Sequence, residues 1–266
     1  MNTSTINYID NLAFENNFNG LAKAVKNHID DTGYVVIKNF TANDTDNEGA
    51  ISDFLSLSEM IGETIPHDTV GKIIWDIKTN LKSNSNIKTY SEHSHEAELH
   101  TDSQYSEYPE DYFGLLTLNP AKCGGGISIL LSLKNIIREL REVDIDGAVE
   151  NTLRTTDFPF IIPNVFKKTD SEGAEFNFGP MLREGEIRFR VDTFEKAIAL
   201  RPDFCSSEQK DAFMLLKEVI LNSPSTQRFV LESGDLIFIN NKTMLHGRTQ
   251  FEDHTRHLLR IRMNKN

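Results

Sequence analysis

The segment of residues 98–102, Glu-Leu-His-Thr-Asp, places a histidine and an aspartate two positions apart. Side chains at positions i and i+2 of a β-strand point to the same face of the strand. An extended conformation would therefore present the His100 imidazole and the Asp102 carboxylate side by side, as two ligands for one metal ion. Alone the pattern is weak, since a polar strand on the protein surface would show it as well.

A possible third ligand, His246, lies 146 residues beyond His100. A turn at Gly234-Asp235 starts an apolar strand, a second turn follows at Asn240-Asn241, and His246 comes at the start of the next strand. Two histidines and one carboxylate form a facial triad, which leaves coordination positions open on iron(II). The same side chains also suit zinc, so these residues alone leave a zinc-dependent hydrolase as an alternative.

Four arginines crowd into the last two dozen positions: Arg248, Arg256, Arg260 and Arg262. A guanidinium can bind a carboxylate through two parallel, charge-assisted hydrogen bonds, which lysine cannot reproduce. Arg256 and Arg260 are four residues apart, so a strand would direct both side chains to one face. For any single arginine of this group, a solvent-facing charge at a strand end is the default expectation.

Together these motifs resemble the taurine dioxygenase-like family of iron(II)- and 2-oxoglutarate-dependent oxygenases, including carbapenem synthase and clavaminate synthase relatives. The likeness is carried, in order along the chain, by residues 100–102, 124–128, 234–249 and 256–260. Residues 33–37 fit as well, so the resemblance covers nearly the whole chain. It implies a double-stranded β-helix, or jelly roll, as the core that holds the metal.

The resemblance also implies roles for individual residues. Iron(II) would be bound by His100, Asp102 and His246, 2-oxoglutarate would chelate the iron, and O2 would be the oxidant. Arg256, ten residues beyond His246, matches the arginine that binds the distal carboxylate of the cosubstrate. Ser128 matches a hydroxyl position at the same carboxylate, where family members usually have threonine.

The main substrate is expected to be small and anionic or zwitterionic. Arg260 matches an arginine that often binds an acidic group of the substrate in relatives. Near the metal motif, Gln104, Glu96 and Glu98 are candidate substrate-binding residues, and either glutamate could meet an ammonium group. We therefore expect hydroxylation of an amino acid or an amino-acid-derived metabolite, with a taurine-like sulfonate as the alternative substrate.

The identity of the ligands bears further on the reaction. In related halogenases a small residue replaces the carboxylate ligand, so Asp102 favours hydroxylation, although desaturation, epoxidation and cyclisation remain open. A zinc-dependent hydrolase would leave Arg256 and the three glycines at 124–126 unexplained. A catalytically silent β-barrel binding module is a third alternative, against which the intact ligand set and Arg256 argue.

The composition excludes several classes of protein. The formal net charge of −12 argues against nucleic acid as a partner, because nucleic-acid binding needs a basic surface. No run of about 18 apolar residues is present, so we expect no membrane span. With two cysteines and no recognisable secretion signal, we expect a cytoplasmic protein. We expect one domain over residues 1–266, because no linker or repeat divides the chain, and leave a homo-oligomer open.

The periodicity of apolar residues predicts a mainly β fold with helical inserts. Helical spacing predicts helices, and short apolar runs between turn residues predict strands. The helices are expected at 21–29, 51–61, 135–143 and 207–221. The strands are expected at 34–37, 72–77, 112–118, 127–133, 158–162, 187–191, 227–231, 235–239 and 257–263, with a long polar loop at 78–97.

Overall fold

A computed structural model describes residues 6–14, 17–41, 47–68, 70–79, 90–163 and 173–266. Six α-helices and fifteen β-strands lie within these ranges. The helices are α1 (Phe18–Thr32), α2 (Asn47–Ile61), α3 (Leu133–Val143), α4 (Ala148–Thr155), α5 (Val191–Leu200) and α6 (Ser207–Asn222). The strands are β1 (Tyr8–Asp10), β2 (Tyr34–Lys38), β3 (Glu63–Ile65), β4 (Trp75–Lys78), β5 (Ala97–His100), β6 (Tyr112–Asn119), β7 (Ser128–Ser132), β8 (Phe158–Ile162), β9 (Glu175–Gly179), β10 (Leu182–Arg183), β11 (Glu186–Ile187), β12 (Gln227–Phe229), β13 (Leu236–Asn240), β14 (Met244–Arg248) and β15 (His257–Asn264).

The larger main sheet has seven strands in the order β1-β2-β13-β6-β15-β3, with β4 also paired to β15. Helices α1 and α2 cover its outer face, where Val25 and Leu57 pack in one buried cluster with Phe238 and Ile261 of the strands. Helix α1 ends at Gly33, whose φ of 85° is the left-handed conformation that glycine adopts without strain. The chain can therefore turn directly from α1 into β2.

The smaller main sheet has four strands in the order β12-β7-β14-β5. Helices α3 to α6 pack on its outer face, where Leu140 and Phe213 share a buried cluster with Leu131 and Leu245 of the strands. Helix α6 begins with a reciprocal capping box between Ser206 and Gln209, which satisfies main-chain donors at the helix start. The helices thus cover the outer faces of both sheets, and the inner faces of the two sheets pack against each other.

The inner faces of the two sheets share a third buried cluster. Phe113 and Leu258 of the larger sheet belong to it together with Leu130 and Met244 of the smaller sheet. The rings of Phe113 and His246 approach to 4.6 Å between centroids, one from each sheet. The space between the sheets therefore continues from an apolar interior to the histidine that the sequence identified as a candidate ligand.

Most of the predicted elements are present, but one prediction is wrong. Instead of a strand at 187–191, β11 ends at Ile187 and α5 begins at Val191. The alternation of apolar side chains was misleading there, because the main chain of Phe189 hydrogen-bonds to Thr101 rather than to a sheet partner. Helix α4 was not predicted. Half of the loop expected at 78–97 lies outside the described residues, while its first residue ends β4 and its last residue starts β5. Within the described ranges, no helix could span a bilayer.

Candidate active site

The three candidate ligands lie together at one end of the space between the two main sheets. His100 is the last residue of β5, and its cross-strand partner is His246 on β14. Asp102 Oδ1 is 3.6 Å from Nε2 of His100, and Asp102 Oδ2 is 3.9 Å from Nε2 of His246. One potential ligand atom from each residue lies within 4.8 Å of the others, close enough for a single metal ion to contact all three.

Each imidazole has a feature that suits a metal ligand. Nδ1 of His100 is 2.7 Å from the main-chain carbonyl of Glu98. A carbonyl only accepts, so Nδ1 donates this bond, and Nε2 is the nitrogen that faces Asp102. Burial, and next the neighbouring His100, lower the pKa of His246 to about 3. His246 is therefore neutral at physiological pH, as a metal ligand must be.

Asp102 reaches the site from a turn rather than from a strand, which corrects the explanation drawn from the sequence. Strand β5 ends at His100, and Ser103 has a positive φ of 51°. The Asn241 side chain fixes this turn. Its Oδ1 accepts from the Asp102 main-chain N–H at 2.8 Å, and its Nδ2 donates to the carbonyls of Asp102 and Glu110 at 3.1 and 3.0 Å.

The carboxylate of Asp102 is held in its ionised form. Nη1 of Arg260, on the inner face of β15, donates to Asp102 Oδ2 at 2.7 Å. Burial alone would raise the pKa of Asp102, but the charge of Arg260, the largest opposing influence, holds this pKa well below its usual range. A ligand set of two imidazoles and one carboxylate suits iron(II) with open coordination positions.

We expect Asn241→Ala to weaken metal binding about 10- to 100-fold, the usual cost of removing a residue that orients a ligand. Without the amide, the turn that carries Asp102 loses two hydrogen bonds, and the link from Asn241 to the carbonyl of Glu110 is lost as well. Isothermal titration of the metal-free protein with iron(II) under anaerobic conditions measures the change. Asn240→Ala is the matched control, because the Asn240 side chain caps only the N–H of Lys242. Equal affinities in the two variants would remove Asn241 from this role.

A second polar pocket lies farther along the inner faces of the sheets. Arg256 and Ser128 line it together with Thr117 of β6 and Gly126. Arg256 is only 7% exposed, and among the described residues its guanidinium has no hydrogen bond or ion pair, although it lies over the ring of Phe251 at 5.1 Å. Burial, and next Arg248, lower the pKa of Arg256 to about 10, so it remains charged at neutral pH. A buried charge of this kind is costly unless an anion pairs with it.

Arg248 has a different role, and its side chain does not face solvent as expected. It is buried on β14, and its guanidinium donates to the carbonyls of His95 at 2.7 Å, of Tyr90 at 3.0 Å, and of His93. These bonds attach residues 90–95 to the strand that carries His246. They use the donors of Arg248 for structure, whereas the guanidinium of Arg256 has no hydrogen bond or ion pair within the described ranges.

The other predicted substrate-binding residues lie in different surroundings. Gln104 is buried, and its Nε2 donates to Thr193 Oγ1 at 2.8 Å, whereas its Oε1 has no hydrogen-bond partner within the described ranges. Glu96 and Glu98 are exposed, and it is the main chain of Glu98 that contacts His100. The structure therefore places Gln104 in the packed shell near Asp102 and the two glutamates at the surface of β5 and its approach.

Two further residues beside the histidines were missed by the sequence analysis. The ring of Tyr90 lies edge-on to the ring of His100 at 4.9 Å, and the guanidinium carbon of Arg190 lies 4.0 Å from the centre of the Tyr90 ring. Arg190 also forms a two-pronged ion pair with Asp192 at 2.7 and 3.0 Å. No local motif marks these residues, and the contact between Tyr90 and Arg190 joins positions one hundred residues apart in the sequence.

Solved structures of non-haem iron oxygenases share this fold. Asparagine oxygenase in complex with Fe(II), 3-hydroxyasparagine and succinate aligns with a TM-score of 0.68 at 14% identity, covering 93% of this chain and 79% of that chain. OrfP in complex with Fe and α-ketoglutaric acid aligns with a TM-score of 0.62 at 20% identity, covering 93% and 80%. PvcB from Pseudomonas aeruginosa gives 0.62 at 16% identity, covering 91% and 79%. At these identities the likeness establishes the fold.

The family follows from the sequence itself. The family model described as taurine catabolism dioxygenase TauD, TfdA family matches residues 8–262. The chain therefore belongs to the TauD/TfdA family, and with it to the iron- and 2-oxoglutarate-dependent oxygenases. A comparison with curated protein sequences gave no match.

Proposed function

We propose that this oxygenase hydroxylates a small amino acid or an amino-acid-derived metabolite and converts 2-oxoglutarate to succinate and CO2. The observation that carries the proposal is a single inner surface with two complementary features. A two-histidine, one-carboxylate cluster lies at one end, and farther along lies the buried guanidinium of Arg256, which has no partner among the described residues. A metal-chelating molecule with a carboxylate at its far end would satisfy both.

Each residue has a defined part in this proposal. His100, Asp102 and His246 would hold iron(II), and when bound the iron would activate O2 for oxidation of the cosubstrate and of a substrate C–H bond. Arg256 would bind the distal carboxylate of 2-oxoglutarate, with Ser128 contributing a hydroxyl beside it. One oxygen atom of O2 would enter the product and the other would enter succinate. We further propose that the two main sheets form a double-stranded β-helix within one domain.

The amino-acid substrate is proposed from Arg260 and from the relatives. Arg260 Nη1 already bonds a carboxylate, that of Asp102, and its Nε is buried without a partner within the described ranges. An acidic group of a substrate could take up this donor beside the metal site. Asparagine oxygenase is described in complex with 3-hydroxyasparagine and OrfP in complex with 3-hydroxyarginine, which supports an amino acid as the substrate here. A taurine-like sulfonate is the alternative.

The proposal is tested by supplying candidate substrates. Anaerobic protein is loaded with iron(II) and 2-oxoglutarate and then exposed to O2 with single amino acids or sulfonates, and mass spectrometry follows succinate and oxidised product. We expect one amino acid to raise succinate formation and to yield a product heavier by one oxygen atom. Release of sulfite from a sulfonate would favour the alternative substrate. No succinate under any condition would contradict the proposed reaction.

We expect Arg260→Ala to lower the ratio of oxidised product to succinate while iron(II) and 2-oxoglutarate still form their visible charge-transfer band. The substrate loses its charged hydrogen-bond partner, so turnover becomes uncoupled. The bound iron itself would keep Asp102 ionised when the Arg260 guanidinium is gone. Arg260→Lys, which keeps the charge, should retain part of the coupling. A lost band with normal coupling would instead make Arg260 the cosubstrate anchor, and unchanged values for both would make it structural.

A further inference from the structure

Thr117 occupies an unusual position on the inner face of β6. Side chains alternate along this strand, so Phe113 and Leu115 face the same interior as Thr117. The register pairs Thr117 with Leu258 and Leu115 with Arg260, on the neighbouring strand β15. Thr117 is therefore one strand repeat farther from the metal ligands than the Leu115–Arg260 pair, at the level of the Arg256 pocket.

The hydroxyl of Thr117 has no hydrogen-bond partner among the residues that the structure describes. The residue is 1% exposed, and its Oγ1 is buried without a donor or acceptor in the described part of the chain. The main chain is fully used, since the Thr117 N–H donates to Asp235 and its carbonyl accepts from Gly234, both at 2.9 Å. Valine has the same shape and would fill this position without burying an unmet polar group. The unmet hydroxyl therefore indicates that a ligand binds here.

The pocket around Thr117 identifies the chemistry of that ligand. Thr117, Ser128 and Arg256 line one pocket, and a side chain at Gly126 would come within 3.1 Å of Nε of Arg256. A carboxylate has two oxygens with about four acceptor positions. A guanidinium can fill two of them through its fork, and two hydroxyls can donate to the others. The three polar residues of the pocket therefore match one carboxylate.

We propose that Thr117 is a third cosubstrate-binding residue, whose hydroxyl donates to the distal carboxylate of the 2-oxo acid alongside Arg256 and Ser128. The inference rests on the proposed binding of 2-oxoglutarate in this pocket. It makes Thr117 a determinant of cosubstrate specificity, because the bond exists only for a 2-oxo acid whose chain ends in an acidic group at this depth. If Thr117 had only a structural role, its replacement would change the affinity for 2-oxo acids with and without that acidic group to the same extent.

The test compares two cosubstrates that differ at one end. 2-Oxovalerate keeps the chelating end and the five-carbon chain of 2-oxoglutarate but lacks the distal carboxylate. Dissociation constants of both are measured with anaerobic iron(II)-loaded protein from the visible charge-transfer band. For Thr117→Val we expect the constant for 2-oxoglutarate to rise about tenfold, the usual worth of a hydrogen bond to a charged group. The constant for 2-oxovalerate should not change, and Thr117→Ser should bind both like the parent.

A thermal measurement separates this role from damage to the fold. Without ligands, Thr117→Val should unfold at the parent temperature or above it, because an unmet buried hydroxyl has been removed. If that variant is unstable, Thr117→Cys, whose thiol is a weak donor, takes its place. If Thr117→Val weakens the binding of both cosubstrates equally, or leaves the binding of 2-oxoglutarate unchanged, the role of Thr117 is wrong. The proposed function would not be affected by that result. Failure of the parent protein to bind 2-oxoglutarate would overturn the proposed function as well.

Discussion

We expect His246→Ala to bind iron(II) at least about 100-fold more weakly than the parent protein, and to show no charge-transfer band with 2-oxoglutarate. Removing a residue that only orients a ligand costs about 10- to 100-fold in metal affinity, so removing the ligand itself should cost more. The two remaining ligands, His100 and Asp102, would face an open side of the site. Because His246 is buried and neutral, its loss leaves the charge of the site nearly unchanged.

The measurement is anaerobic titration with iron(II), followed by addition of 2-oxoglutarate and recording of the visible spectrum. His100→Ala should behave in the same way, since Nε2 of His100 faces the same carboxylate. The matched control is His254→Ala, which removes an exposed histidine outside the candidate ligand set. If the band of His246→Ala and His100→Ala equals that of the control, these histidines are not the ligands.

The candidate ligands could be chosen from the sequence because their types and order are informative even without the fold. The pair His100 and Asp102 is weak evidence alone, but with a distant histidine and an arginine ten residues after it the set resembles the motifs of a known oxygenase family. The structure brings His100 and His246 together as cross-strand partners, a relation set by strand pairing over 146 residues. Sequence spacing indicated the set, whereas only the sheet gives its geometry.

The support behind Asp102 could not be predicted from the sequence. A strand at 98–102 was the simplest explanation of the His-x-Asp spacing, yet the strand ends at His100. The carboxylate is positioned by the amide of Asn241, from 139 positions away. In the sequence Asn241 is a plain turn residue, and asparagine is common in turns. A side chain that bonds a distant main chain leaves no local periodicity to detect.

The arginines show the same limit in another form. Arg248 and Arg256 are the same residue type in the same short region, and composition cannot assign them different tasks. The structure separates them by their partners, because Arg248 donates to three main-chain carbonyls of residues 90–95. Arg256 has no partner anion within the described ranges, although it is equally buried. The difference arises because residues 90–95, which precede the metal motif in the sequence, accept the hydrogen bonds of Arg248.

We expect Arg256→Lys to raise the dissociation constant of 2-oxoglutarate about tenfold, and Arg256→Gln to raise it about 100-fold. Each hydrogen bond to a charged group contributes about 1.5–3 kcal/mol, and 1.4 kcal/mol corresponds to a factor of ten. Lysine keeps the charge but loses the planar fork that meets both carboxylate oxygens, whereas glutamine loses the charge as well. The iron(II) affinity should stay at the parent value in both variants, since Arg256 is not among the candidate ligands.

The dissociation constants are measured by anaerobic titration of the iron(II)-loaded proteins, with the Michaelis constant for 2-oxoglutarate as an independent readout. Arg228→Gln is the matched control, because it removes an exposed arginine from β12 and the same unit of charge. It should leave 2-oxoglutarate binding unchanged. If the Arg256 variants bind 2-oxoglutarate as tightly as this control, the cosubstrate is anchored elsewhere. Arg260 would then be the next candidate, because its Nε is buried without a partner in the described ranges while the donors of Arg248 are occupied by main-chain carbonyls.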